Sequence, residues 1–203
     1  MSPRASTPPP APRRRRPGAL LLAHGAGGDN DHPLFLALEA ALAPLPVERM
    51  RFPYRQAGKR AVDRAPVAVE AVRQSATDLV RRAGCRPNRL VLGGRSFGGR
   101  MCSLAVAEGL PAAGLVLLSY PLHPPGKPDR LRTEHFGDLR LPCLFVSGRK
   151  DAFGSPDELE SATAAIPGPV THLWVDGGHD PAPKTHEAIV AAVRAWLADL
   201  PAS

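Results

Sequence analysis

Arg89-Leu90-Val91-Leu92-Gly93-Gly94-Arg95-Ser96-Phe97-Gly98-Gly99-Arg100 is the stretch whose reading decides the architecture. Its apolar start, Leu90 to Leu92, is long enough for a short buried strand, and a helical pattern runs from Arg100 to Glu108. Between them, Gly94-Arg95-Ser96-Phe97-Gly98 has the G-x-S-x-G form of a nucleophile elbow, a sharp turn from strand to helix. The turn forces Ser96 into a crowded backbone conformation, and glycine two residues to either side lets strand and helix approach. Ser96 Oγ is then presented at the carboxyl edge of a sheet and the amino end of a helix. There the helix dipole and free N–H groups favour a developing negative charge. The pentapeptide has a plainer reading too, a glycine-rich turn whose serine caps the helix. The rest of the chain therefore has to supply a base, an acid and an oxyanion hole.

Outward from the elbow, short apolar runs alternate with helical patterns. Strands are expected at Ala19 to Ala23, Val47 to Phe52, Gly114 to Ser119, Cys143 to Ser147 and Val170 to Val175. Helices are expected near Pro33 to Ala43, Pro66 to Ala83 (stopped by Gly84), Ser155 to Ile166 and Thr185 to Leu200. Ser155 reads as the cap of its helix, because Pro156 suits the first helical position and Asp157 and Glu158 the first turn. A basic loop, Pro53 to Arg64, and a proline-rich loop, Tyr120 to Arg140, join the remaining elements. Strands covered on both faces and separated by helices call for an α/β fold. The expected form is a three-layer αβα sandwich on a mostly parallel sheet of about six strands, with no cap domain.

The formal net charge is +7, and Arg4 with Arg13 to Arg16 supplies five of those charges ahead of the first acidic residue, Asp29. The remainder is close to balanced and carries no basic stripe interleaved with aromatics, so no specific nucleic-acid partner is expected. Residues 1–17, with six prolines and five arginines, read as a disordered tail, and residues 18–203 as one domain. Cys85, Cys102 and Cys143 match neither a metal-ligand spacing nor a disulfide framework, which suits a reducing compartment. Five apolar residues before His24 are too few for a signal sequence, and no run is long enough to span a bilayer. The expected location is cytoplasmic, without membrane insertion; monomer and homodimer both stay open.

Ligands of such sheets gather beyond the carboxyl ends of the strands. Three polar residues sit just after expected strands: Ser96, Asp151 in Ser147-Gly148-Arg149-Lys150-Asp151, and His179 in Asp176-Gly177-Gly178-His179-Asp180. A histidine takes the proton of an attacking hydroxyl, and a carboxylate fixes its tautomer and stabilises the imidazolium. The glycines before His179 leave a loop free to swing the ring between Asp151 and Ser96. Two backbone N–H groups must hold the oxyanion: that of Phe97, after the nucleophile, and one from His24-Gly25-Ala26-Gly27-Gly28, assigned to Ala26. A phosphate-cradling turn is the rival reading of that loop, but no P-loop lysine follows. Candidate substrate contacts are His24, Gly25, Tyr54, Tyr120 and His123, although His24 also reads as shaping its own loop. His32, His123, His135 and His172 have no partner at metal spacing, so neither metal nor cofactor is expected. His186 is the fallback base. Arg55, Lys59 and Arg60 fit either attraction of an acidic substrate or a solvated basic loop.

From Ala19 onward the chain resembles the α/β-hydrolases. More narrowly it resembles the dienelactone-hydrolase-like branch and the small hydrolases grouped with testis-expressed protein thirty. The matching stretches are Leu22-Ala23-His24-Gly25-Ala26-Gly27, Phe52-Pro53-Tyr54-Arg55, Leu92 to Arg100, Tyr120-Pro121-Leu122-His123-Pro124-Pro125-Gly126-Lys127-Pro128, Leu131-Arg132-Thr133-Glu134-His135 and Gly148 to Ser155. Ser96, Asp151 and His179 fall in the chain order of that superfamily. Two departures stand out. Relatives read Gly-Gly-Asp-His in the last loop, where this chain has Gly177-Gly178-His179-Asp180, and the chain begins at the strand before the oxyanion loop. The resemblance implies a serine hydrolase that cleaves a small-molecule ester or thioester through an acyl-enzyme. One animal relative is a subunit of a chromatin-modifying complex, which keeps a catalytically silent binding or scaffold protein as the alternative.

Overall fold

The structure, a computed structural model, describes residues 16–201. The expected disordered tail lies outside the described residues apart from Arg16 and Pro17. Six strands form one sheet: β1 (Ala19–Ala23), β2 (Val47–Met50), β3 (Leu90–Arg95), β4 (Gly114–Leu118), β5 (Cys143–Gly148) and β6 (Val170–Val175). Their spatial order is β2-β1-β3-β4-β5-β6, and every pairing is parallel. The helices are α1 (Pro33–Leu42), α2 (Pro53–Gln56), α3 (Ala65–Ala83), α4 (Phe97–Ala107), α5 (Pro156–Thr163) and α6 (His186–Asp199).

The continuous apolar runs become the inner strands because both of their faces are covered. Every residue of β1 and of β4 is buried. Along β1 the side chains alternate: Ala19, Leu21 and Ala23 join a core with α3, α4 and α5, while Leu20 and Leu22 join another with α1 and α6. Each such leucine taken out of water contributes roughly 1.5–3 kcal/mol. The outer strands β2 and β6 are only half covered and carry the polar residues Glu48, Arg49, Thr171 and His172. The result is the three-layer αβα sandwich expected, with helices on both faces of a six-stranded parallel sheet. Among the described residues, no helix is long and apolar enough to cross a membrane.

Several boundaries differ from the pattern reading. β2 stops at Met50, because Phe52 turns inward to precede a short helix, α2, inside what reads as a plain basic loop. Pro53 at the first helical position starts it, its missing N–H being one that needs no partner there. β3 runs on through Gly93 and Gly94 to Arg95, since both glycines still pair with neighbouring strands. α4 then begins at Phe97, directly after Ser96, rather than at Arg100. Ser155 caps α5 as expected, in a full capping box with Glu158, and Gly84 ends α3 in a left-handed conformation (φ 60°).

β1 has β2 on one side and β3 on the other, so the chain reverses its direction of sheet growth there. A crevice opens at such a switch point, beyond the strand ends. The loop after β1 and the turn after β3 both emerge at it.

Candidate active site

Ser96 occupies the sharpest point of the chain, with φ 51° and ψ −116°. A non-glycine residue at positive φ carries about 1–3 kcal/mol of strain, held here by the surrounding fold. The Ser96 N–H donates to Leu118 O at 2.8 Å, fixing the turn against β4. Gly98 shows why the spacing matters: a Cβ there would lie 2.1 Å from Ala23 O and 2.6 Å from His24 O. Only glycine lets the first turn of α4 lie this close to the end of β1.

Three loop residues meet at this point. His179 Nε2 is 2.8 Å from Ser96 Oγ, and His179 Nδ1 lies 2.8 and 3.0 Å from the two carboxylate oxygens of Asp151. An ionised carboxylate only accepts, so Nδ1 carries a proton and the Nε2 lone pair faces the serine hydroxyl. The Asp151 side chain is 1% exposed, and it also accepts the Phe153 N–H at 2.8 Å. The Phe153 ring stacks on the imidazole, with centroids 4.0 Å apart. The shifted order Gly177-Gly178-His179-Asp180 is accommodated by Gly177 at φ 120°, a conformation open to glycine. Lys150 N–H donates to Gly177 O at 2.9 Å, tying this loop to the one that carries Asp151.

The loop expected to hold the oxyanion is held from beneath. Tyr54 Oη donates to Ala26 O at 2.9 Å, and His24 Nδ1 donates to Gly25 O at 2.9 Å. His24 Nε2 accepts the Phe52 N–H at 3.2 Å, which assigns the proton to Nδ1. With Gly25 O turned inward, the trans peptide aims the Ala26 N–H the opposite way. Ala26 is exposed, and a Cβ on Gly25 would sit 3.6 Å from Ser96 Cβ, so the loop lies against the serine. Phe97 is the first residue of α4, where an N–H has no intrahelical acceptor. Neither the Ala26 nor the Phe97 N–H has an acceptor among the described residues.

The side chains expected to contact substrate lie largely inside the protein. His24 is 1% exposed with both ring nitrogens engaged, and burial lowers its pKa, so it is a neutral support for the loop. Tyr54 is buried and spends its hydroxyl on the same loop. Tyr120 is buried as well, and its hydroxyl donates to Arg132 O at 2.6 Å. His123 is buried; its Nδ1 donates to Pro124 O at 2.9 Å, and its Nε2 lies 3.6 Å from Glu158. All four side chains make hydrogen bonds inside the protein, and Gly25 forms part of the loop after β1. His186, the fallback base, opens α6 and has its Nε2 3.2 Å from Pro181 O. Of the basic loop, Arg55 lies 3.6 Å from Asp29, which Arg51 also holds through two contacts of 2.8 Å.

Pattern reading missed Phe153 behind the imidazole and a polar cluster beside it. Arg95 Nη2 pairs with Asp180 Oδ1 at 3.0 Å, and His32 Nε2 lies 3.3 Å from the same oxygen. The available signal was adjacency, since Arg95 precedes Ser96 and Asp180 follows His179. The cysteines are free; burial pushes the thiols of Cys102 and Cys143 up to about 12, where they stay protonated. Among the described residues, no group of three or more His, Cys, Asp or Glu side chains is placed to hold a metal ion.

The fold recurs widely. One of two metagenome-derived lipolytic enzymes, LipS and LipT, superposes with a TM-score of 0.68 at 16% identity, over 88% of this chain and 92% of its own. The type II thioesterase BorB of the borrelidin biosynthetic cluster gives 0.63 at 18%, over 91% and 95%. The thioesterase RedJ of the prodiginine pathway in Streptomyces coelicolor gives 0.63 at 16%, over 94% and 90%. Identities this low speak for shared architecture alone. The sequence itself matches the family described as "Alpha/beta hydrolase domain" over residues 16–193. With that match spanning nearly the whole length, the chain belongs to the alpha/beta hydrolase domain family.

Proposed function

We propose that the protein is a serine hydrolase of carboxylic esters or thioesters, with Ser96 as nucleophile, His179 as general base and acid, and Asp151 as the group that orients it. The observation carrying this reading is the imidazole of His179, 2.8 Å from Ser96 Oγ on one side and 2.8 Å from Asp151 Oδ2 on the other. Ser96 Oγ attacks the acyl carbon and its proton passes to His179 Nε2. The carbonyl oxygen, now anionic, is held by the N–H groups of Ala26 and Phe97, whose freedom from other acceptors favours that role. Collapse breaks the bond to the alkoxide or thiolate, which takes the proton from His179. Water then repeats the sequence on the acyl-enzyme, giving up a proton to His179, and Ser96 is regenerated with release of the acid.

Thioesterases and lipolytic enzymes are among the shared folds, and their bond types enter here as part of the proposal. Among the described residues, the segments Pro53 to Arg64 and Tyr120 to Arg140 are the long insertions available to wall a pocket. Small or extended acyl groups suit that arrangement better than deeply buried lipids. The chain stretches quoted above favour placement in the dienelactone-hydrolase-like branch, and the cysteine usage favours action in the cytoplasm. A panel of p-nitrophenyl esters and acyl thioesters tests the reading. Turnover should fall off with long chains and vanish in Ser96→Ala; a mutant that keeps the wild-type rate would sink it, and a wild type inert to the whole panel would favour the scaffold alternative.

A further inference from the structure

Arg95 and Asp180 are the chain neighbours of Ser96 and His179, and they meet across space at 3.0 Å. The tie between the two loops is therefore double: a hydrogen bond between the reacting side chains and an ion pair one residue away. His32 adds a third strand to it. Its Nδ1 accepts the Leu34 N–H at 3.2 Å, as the cap of α1, so in the neutral ring the proton sits on Nε2 and is donated to Asp180. Arg95 also covers the oxyanion loop, since a Cβ on Gly25 would lie 3.2 Å from its Nη1. Its side chain is 14% exposed, against 66% for Asp180, so the guanidinium is a fixed point and the carboxylate a reachable one. One carboxylate thus joins the loop after β1, the elbow and the loop after β6.

We infer that Arg95, Asp180 and His32 form a clamp that positions His179 over Ser96, an inference that rests on the hydrolase reading above for its effect on rate. Asp151 grips one edge of the imidazole and Phe153 covers one face, but neither fixes the backbone that carries the ring. Gly177 and Gly178 give the backbone behind it little stiffness. Anchoring the next residue steadies that backbone and keeps Nε2 within reach of the hydroxyl. Arg95 and Asp180 make no hydrogen bond to Ser96 Oγ or to the His179 ring; they are positioning residues. An ion pair this exposed is screened by salt and contributes a factor of about two to five.

The test compares wild type, Asp180→Asn, Asp180→Glu and Arg95→Lys in two readouts: the labelling rate of Ser96 by an uncharged fluorophosphonate, and solvent exchange of the His179 Nδ1 proton by NMR. Asp180→Asn, on an exposed loop, should slow labelling about two- to five-fold and speed the exchange. Added salt should slow the wild type but leave Asp180→Asn unchanged, and Asp180→Glu should restore much of the rate. Arg95→Lys, which keeps the charge but loses the fork, should fall between them. Wild-type labelling, salt response and exchange in Asp180→Asn would overturn the clamp. A wild type that fails to label, with exchange still faster in Asp180→Asn, would remove the hydrolase reading and leave the clamp standing.

Discussion

Two serine–histidine pairs, their serines seven residues apart, carry the shared proton in opposite directions. Ser96 and His179 are 2.8 Å apart at the rim of the sheet; Ser103 and His135 are 2.7 Å apart beneath the proline-rich loop. The distances are nearly equal, so a short hydrogen bond does not by itself make a nucleophile. What differs is the direction of the proton. Behind His179, Asp151 takes the Nδ1–H and leaves Nε2 as an acceptor aimed at the hydroxyl. Ser103 instead donates its one proton to Arg100 O at 2.9 Å, one helical turn back, so His135 Nε2 must do the donating. His135 Nδ1 is buried without a partner among the described residues, and burial drives the ring's pKa down to about 4. Ser103 is fully buried inside α4, whereas Ser96 stands on a strained turn at its mouth. Carboxylate, backbone and access distinguish the pair at the rim from the buried one.

The contrast can be broken by removing its parts, starting with the largest effect. Ser96→Ala should lower ester turnover by on the order of 10^6-fold, to the background rate, as measured by kcat on the most reactive ester of the panel. Asp151→Asn should lower kcat on the order of 10^4-fold, because an amide can donate to Nδ1 and so turn the ring into the wrong tautomer. Gly98→Ala should destabilise the fold by roughly 1–3 kcal/mol or more, read by chemical denaturation, since its Cβ meets the backbone of Ala23 and His24.

The buried pair makes its own prediction about acid. Burial holds His135 at a pKa of about 4, below the ordinary histidine value of 6.5, so the ring is neutral in the fold. The unfolded chain therefore binds more protons between those values, and stability must fall as pH drops through that window. Burial lowers the pKa of His24, His32 and His172 as well, and they act in the same sense. Melting temperatures of wild type and His135→Gln, taken across this range, should converge on the acid side. Parallel curves would remove His135 from the account. Smallest of all, Ser103→Ala should leave ester turnover within about twofold of wild type, its hydroxyl being a helix-to-loop contact and not a reacting group.

How much of this is legible in the sequence follows from the range over which each interaction acts. The strands β1, β4 and β5 and the cap at Ser155 are written in contiguous residues, and they appear where the pattern places them. The three polar residues of the rim are legible too, because each follows a strand directly. The end of β2 is not: Phe52 belongs to a strand by composition, but it packs edge-on against Phe97 of α4 and His24 of the loop after β1. For the same reason Tyr120 reads as a ligand contact until Arg132 O is seen to take its hydroxyl. The Ser103–His135 and Arg95–Asp180 pairs join residues 32 and 85 positions apart, and no local periodicity encodes them.

Treatment of the folded protein with a fluorophosphonate, followed by intact mass and peptide mapping, tests the central claim most directly. A single adduct on Ser96, absent in Ser96→Ala and unchanged in Ser103→Ala, is the predicted result. An unmodified wild-type protein, or an adduct that survives Ser96→Ala, would contradict it.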